Sequence, residues 1–233
     1  MVCSGAIAAA AFGLTLASAD PILIGTEAPF APYTFVDAVG AITGFERDIG
    51  DEVCKRALLN CTWENVIFDQ LLPGVAAGRF DIVLGGIAVT PERMKLVDFS
   101  QTYNDSTDRD WFYGRDGAPM PDEARIGVQS GTLQAAYARD QGYNVYPFAT
   151  EPKVLQALTA GNIDLAFGTF SADTLDKLQA EAGINALYSA DVPDMGTAMA
   201  VCRGNTALLT QINAALQAMQ ADGTIDKITD RWM

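Results

Sequence analysis

The sequence predicts an α/β protein of two similar lobes facing each other across a cleft. Each lobe is expected to hold a mostly parallel sheet flanked by helices, with two chain crossings between them. Three observations predict it. Apolar runs of strand length alternate with amphipathic helical stretches through most of the chain, the pattern of βαβ units. The stretch Leu72-Pro73-Gly74-Val75-Ala76-Ala77-Gly78-Arg79-Phe80-Asp81 lines up with Leu155-Gln156-Ala157-Leu158-Thr159-Ala160-Gly161-Asn162-Ile163-Asp164 at an offset of 83 (155 − 72), and Gly85 matches Gly168 at the same offset. Glycine-bearing turns follow three apolar strands, at residues 85–88, 131–133 and 168–169. In open α/β sheets such strand ends are where ligands bind.

Composition narrows the chemistry. The chain has 233 residues, enough for one large domain or two small lobes, and 49% are apolar, so a sizeable core is available. The net charge is -14 with no run of Lys or Arg, which argues against nucleic acid and anionic membrane surfaces as partners. There is no histidine. That removes Ser-His-Asp and Cys-His catalysis and most zinc sites, and no metal site or cofactor is expected.

Residues 1–19 read as an export signal. An apolar run over 6–16, too short to span a bilayer, ends in Ala17-Ser18-Ala19 just before Asp20. In an exported chain Cys54 and Cys61, seven positions apart, are either a disulfide closing a short loop or two thiols. Cys202, inside an apolar run, reads as a buried strand thiol without a partner.

From Asp20 onward the elements follow from local pattern. Pro21-Ile22-Leu23-Ile24-Gly25 is a strand, and a Pro-broken loop then carries Glu27, Phe30 and Tyr33. Residues 35–44 suggest a hairpin turning near Gly40. Residues 45–59 form an amphipathic helix with Ile49, Val53 and Leu58 on one face. A strand over 61–66 precedes a helix that begins at Phe68 and stops near Gly78. Asp81-Ile82-Val83-Leu84 is a buried strand, Val97-Asp98-Phe99-Ser100 leads onward, and Trp111-Phe112-Tyr113 is a strand toward the second lobe, with Trp111 assigned to strand packing. Residues 114–123 read as a surface loop. Strands at 124–128, 145–148 and 163–168 then alternate with helices at 134–139, 151–160 and 171–182. A strand at 199–202 and helices over 208–221 and 225–232 complete the chain.

The stretch 85–93 orders this layout. Thr90 fits a helix N-cap, Pro91 the first helical position, and Arg93 falls in the first turn, where a cation is unfavourable for the helix dipole. Free backbone N–H groups and a guanidinium would meet there, a site for a small carboxylate. The alternative is an arginine on a solvated helix face.

Several motifs, in order along residues 20–233, carry a resemblance to a known family. They are Ile24-Gly25-Thr26 with Pro32-Tyr33, Gly44-Phe45-Glu46, Cys54-Lys55-Arg56 to Cys61-Thr62-Trp63, and Phe68-Asp69-Gln70-Leu71-Leu72-Pro73. Val89-Thr90-Pro91-Glu92-Arg93, Asp98-Phe99-Ser100, Gly131-Thr132 and Ala221-Asp222-Gly223-Thr224-Ile225-Asp226-Lys227 continue the series. The chain resembles the periplasmic solute-binding proteins for polar amino acids that serve ABC importers, the group of histidine- and lysine/arginine/ornithine-binding proteins. The resemblance implies the two-lobed periplasmic-binding-protein fold of type II, with one lobe from residues 20–107 plus 198–233 and the other from 108–197. It implies a monomeric, periplasmic protein that closes over a small carboxylate or amino-acid ligand and delivers it to a membrane permease. Arg93 would clamp the ligand's carboxylate, helped by the backbone at Gly86 and Ala88 and by Thr132 and Leu133. Phe30 and Phe68 would cover it, and Glu27 would face a basic side chain. A Cys54–Cys61 disulfide is implied too.

Two departures bear on the ligand. Relatives hold the α-ammonium with an Asp where this chain has the uncharged Thr169, and serines usual at the first lobe's strand end are here Gly85, Gly86 and Ala88. A buried ammonium without a carboxylate costs several kcal/mol. The expectation is therefore a carboxylate that is not a standard α-amino acid, or one whose amine is met elsewhere, at Glu27 or at Asp173. Glu27 could equally be a solvated loop acid, and Phe68 could be core. Two other functions compete: an enzyme resembling cyclohexadienyl dehydratases, and a ligand-sensing domain. No catalytic residues stand out for the former.

Overall fold

The computed structural model describes residues 20–104 and 110–233. The export signal and its cleavage pattern lie outside the described residues, as does the first crossing expected at 107/108.

In chain order the elements are β1 (Ile22–Thr26), β2 (Phe35–Val36), β3 (Ile42–Thr43), α1 (Phe45–Arg56), β4 (Cys61–Asn65), a 3₁₀ turn (Phe68–Gln70), α2 (Leu71–Ala76), β5 (Ile82–Val83), α3 (Pro91–Met94) and β6 (Val97–Phe99). Then come β7 (Asp110–Arg115), β8 (Arg125–Gln129), α4 (Leu133–Asp140), β9 (Asn144–Phe148), α5 (Glu151–Thr159), β10 (Leu165–Gly168), α6 (Ala172–Ala182) and β11 (Ile184–Ala190). β12 (Ala200–Cys202), α7 (Thr206–Ala221) and α8 (Thr224–Trp232) follow.

Two five-stranded sheets organise them, one ordered β4-β1-β5-β12-β6 and the other β11-β7-β10-β8-β9. Each has a parallel part, β4-β1-β5 in the first and β10-β8-β9 in the second, extended by antiparallel strands. Parallel strands covered on both faces read as continuous apolar runs, and Ile82, Val83 and Leu84 are all fully buried. The first sheet packs α1, α7 and α8 over one core, containing Ile49, Val53, Ile212 and Leu216, and α2 over another, containing Leu71, Val75 and Phe80. The second sheet has its own two cores, one around Ile126, Val128 and Phe167, the other around Val154, Leu158 and Ile163.

α1 shows how pattern becomes packing. Phe45, Ile49 and Val53 recur at helical spacing and are buried. Each such side chain stabilises by about 1.5–3 kcal/mol when fully removed from water. Glu46 and Asp48 lie in the first turn, Lys55 and Arg56 in the last, in the sense that favours the helix dipole. The helix ends at Arg56, three residues before the sequence predicts. Leu58 is therefore not on the buried face: it takes a positive φ of 56° and is 92% exposed.

The turn is closed by a Cys54–Cys61 disulfide, which settles the choice between disulfide and thiols. By loop-closure entropy so short a loop contributes about 2.5 kcal/mol. Replacing both cysteines by alanine is expected to lower the urea-unfolding free energy by that amount and leave the strand pairing of β4 with β1 intact. Cys202, buried in β12, does have a bonding partner, contrary to the lone thiol expected.

Strand β11 has no counterpart among the predicted elements, and β7 runs on to Arg115, into the stretch read as a loop. Both corrections belong to the antiparallel side of the second sheet.

Candidate functional site

All nine residues singled out as ligand contacts line one cavity between the two sheets: Glu27, Phe30, Phe68, Gly86, Ala88 and Arg93 from the first, Thr132, Leu133 and Thr169 from the second. Its volume of about 570 Å³ falls in the range of small-molecule sites.

Arg93 is positioned as its local sequence dictates. The Thr90 hydroxyl accepts from the Arg93 backbone N–H at 3.2 Å, and Pro91 opens α3. The side chain is 8% exposed, so it is not an arginine on a solvated helix face. Its Nη1 donates to the Ala88 carbonyl at 2.7 Å and its Nη2 to the Gly131 carbonyl at 2.9 Å, a bond that joins the two lobes. The guanidinium lies 5.8 Å from the Phe68 ring centroid. Phe68 thus serves both cavity and core, since it also packs beside Leu71 and Val75. Burial lowers the Arg93 pKa to about 10, against the opposing effect of Asp194, so it stays cationic at neutral pH.

The turn before α3 is held from below. Gly86 has φ 64°, and a Cβ there would sit 2.9 Å from the Phe30 ring, so only glycine lets that ring approach. Phe30 in turn stacks on Tyr33 at 4.7 Å between centroids. The Gly86 N–H donates to Glu46 Oε1 at 2.8 Å, and the Tyr103 hydroxyl donates to the same oxygen at 2.8 Å. Glu46 is fully buried, and desolvation pushes its pKa up to about 7.

Thr132 caps α4, accepting from the Ala135 N–H at 3.1 Å and donating to the Gln129 carbonyl at 2.8 Å. Glu27 is 4% exposed, which rules out the solvated-acid alternative. Both its oxygens accept from Gln129 Nε2, at 2.7 and 2.8 Å, a second bond between the lobes. Burial, the largest influence, raises its pKa to about 7.

The structure adds groups that sequence reasoning missed. Glu151, at the first turn of α5, faces Glu27 closely enough that burial and then the Glu27 charge raise its pKa to about 8. Asp110, Asp194, Gln129 and Gln134 also line the cavity, as does Trp111, which is 38% exposed rather than packed away within its strand. Asp173, offered above as a substitute for the missing acid, is exposed in the first turn of α6 and is not part of the lining. Among the described lining residues, four carboxyl groups face one guanidinium. The Asp194 charge acts on both Arg93 and Asp110, and the Glu27 charge on Glu151.

A family model for the bacterial extracellular solute-binding proteins, family 3, matches residues 22–233. The chain belongs to that family. It is 31% identical over 233 residues to the ABC transporter arginine-binding protein 1 of Escherichia coli (strain K12), covering 96% of this chain and 95% of the relative. It is 29% identical over 229 residues to the lysine/arginine/ornithine-binding periplasmic protein of the same organism, covering 91% and 87%. Among solved structures, a Salmonella typhimurium periplasmic binding protein described for its high arginine specificity superposes with a TM-score of 0.82 at 29% identity, covering 91% of this chain and 98% of the other. This family-3 protein thus has the two-lobed type II fold, and its role is that of the solute-binding component of an ABC importer. Its relatives are binding proteins rather than enzymes. No described helix is long and apolar enough to cross a membrane.

The buried acids give the family-3 protein a pH signature. Glu27 and Glu46 ionise near 4.5 when unperturbed and near 7 in the fold. Between those values the folded state holds more protons than the unfolded, so stability falls as pH rises across the window. Glu52, held low by Lys55 and Arg56, and Asp164, held low by Arg125, act oppositely: their contribution is lost as pH falls below about 4. Scanning calorimetry without added solute is expected to show the highest Tm near about pH 5 and a lower one at pH 8.

Proposed function

We propose that this protein captures an α-amino acid with a cationic side chain in the periplasm, as a monomer, and presents it to its membrane permease by closing two lobes, 20–107 plus 198–233 and 108–197. The observation that carries this reading is the arrangement of charge in the cavity. Arg93 is the one cation among the described lining residues, buried and cradled by carbonyls, and suits a carboxylate head. Glu27 and Glu151 together make a place for a positive tail, in a cavity that the rings of Phe30 and Phe68 also line. Of the four acids, Glu27 and Glu151 are pushed up to about 7 and 8, and a cationic tail between them favours their ionised forms, so the cavity suits a net cationic solute. The arginine- and lysine-binding relatives support the same reading. Of the two alternatives drawn from the sequence it takes the amine that is met elsewhere, because acids line the cavity although position 169 holds a threonine.

Isothermal titration with arginine, lysine, ornithine, glutamine and glutamate tests it. The expected result is binding of at least one cationic amino acid at about micromolar Kd or tighter, with glutamate not bound. Tight binding of glutamate alone, or of none of the five, would overturn it.

A further inference from the structure

The missing acid at position 169 has a neighbour. β7 and β10 pair antiparallel with Gly168 opposite Trp111. Thr169 follows Gly168 and Asp110 precedes Trp111, so the two flank the end of that ladder. Both side chains line the cavity, and both are held by one amide: Gln134 Nε2 donates to Asp110 Oδ1 at 2.6 Å and to Thr169 Oγ1 at 3.4 Å. Asp110 is partly buried. Of the other acids in the lining, Asp194 is exposed and uses Oδ1 to accept from the Gly196 N–H at 2.7 Å, while the Glu27 charge acts on Glu151.

We infer that Asp110 receives the α-ammonium of the solute, in place of the acid that the resemblance implies at position 169, and that Gln134, which bonds both side chains, positions it. Asp110 and Arg93 line the same cavity, and the Asp194 charge acts on both. Head recognition is then split between lobes, carboxylate to the first and ammonium to the second. This inference rests on the cationic amino-acid reading above.

The test compares L-arginine with 5-guanidinopentanoate, which keeps the carboxylate and guanidinium but lacks the α-amine. Wild type, D110N, T169D and the D110N/T169D double variant are titrated with each, and a thermal melt checks each fold. D110N is expected to weaken arginine about fiftyfold while leaving 5-guanidinopentanoate unchanged. The double variant is expected to regain arginine affinity, because an acid then stands at position 169, where the resemblance implies one. Equal losses for both compounds, or no loss of arginine affinity, would overturn the assignment while leaving the parent reading standing. Failure of wild type to bind any cationic amino acid would overturn the parent reading, and the assignment with it.

Discussion

Arg93→Ala is expected to weaken binding of a cationic amino acid roughly a thousandfold. Removing one partner of a buried charge pair costs about 3–5 kcal/mol, because the other charge is left unpaired out of water. Here the other charge would be the solute carboxylate, and no second cation lines the described cavity to take it over. The loss has a second source. Arg93 bonds carbonyls on both sides of the cleft, Ala88 on the first lobe and Gly131 on the second, so alanine also removes a bond that favours closure. Arg93→Lys separates the two. It keeps the charge but not the planar fork, so it cannot hold both carbonyls and a carboxylate in one geometry. It is expected to recover only part of the lost affinity. Calorimetric titration of the three proteins against one cationic amino acid reads this directly, and near-normal affinity in Arg93→Ala would show that the carboxylate is held elsewhere.

Glu46→Ala carries the largest expected loss of stability, about 3 kcal/mol. The substitution leaves the Gly86 N–H and the Tyr103 hydroxyl without their acceptor in a fully buried place, at roughly 1–3 kcal/mol each. For a chain of this size that is a fall in Tm of roughly 6–12 °C. Glu46→Gln keeps an acceptor oxygen and is expected to cost much less. It should also flatten the decline of stability between about pH 4.5 and 7, since one of the acids that titrates in the fold is gone. A Glu46→Ala protein that melts with the wild type would mean that water or a backbone shift satisfies both donors. Because Glu46 holds the turn that carries Gly86, its removal also loosens the approach to Arg93, and affinity is expected to fall together with Tm.

The two-lobed architecture was legible because it rests on short-range signals: apolar strand runs, glycine stops after α2 and α5, and the Thr90-Pro91 helix start. Arg93 was legible for the same reason, since its conflict with the helix dipole is local. What escaped depends on neighbours distant in sequence. β11 has the burial pattern of an irregular edge, with a register shift between Ala186 and Tyr188, so neither alternation nor a continuous apolar run marks it. Leu58 fits a helical face by spacing, but the helix stops at Arg56 and Leu58 falls in the turn that the Cys54–Cys61 disulfide spans. Glu151 reads as an ordinary acid at a helix start, a role it also fills, and nothing near it in sequence says that Glu27 lies opposite. Asp110 and Thr169, 59 positions apart (169 − 110), meet only at the end of the antiparallel pairing of β7 with β10 and through Gln134, and direction of pairing is not written in either strand alone. Trp111 follows from the same strand.

The order of strands in the first sheet has a consequence for biosynthesis. β12 lies between β5 and β6, inside the sheet, yet it comes from residues 200–202, after the whole of the second sheet has been made. The second sheet is contiguous from residue 110 to 190 and has two cores of its own. On the ribosome, domains ordinarily fold in the order in which they are synthesised. This chain inverts that order: the inserted lobe can mature while the amino-terminal one still has a gap in the middle of its sheet and lacks the α7 and α8 cover of α1. A nascent chain halted before residue 200 is therefore expected to leave residues 20–104 with an incomplete sheet, open to a chaperone, while the inserted lobe is already whole.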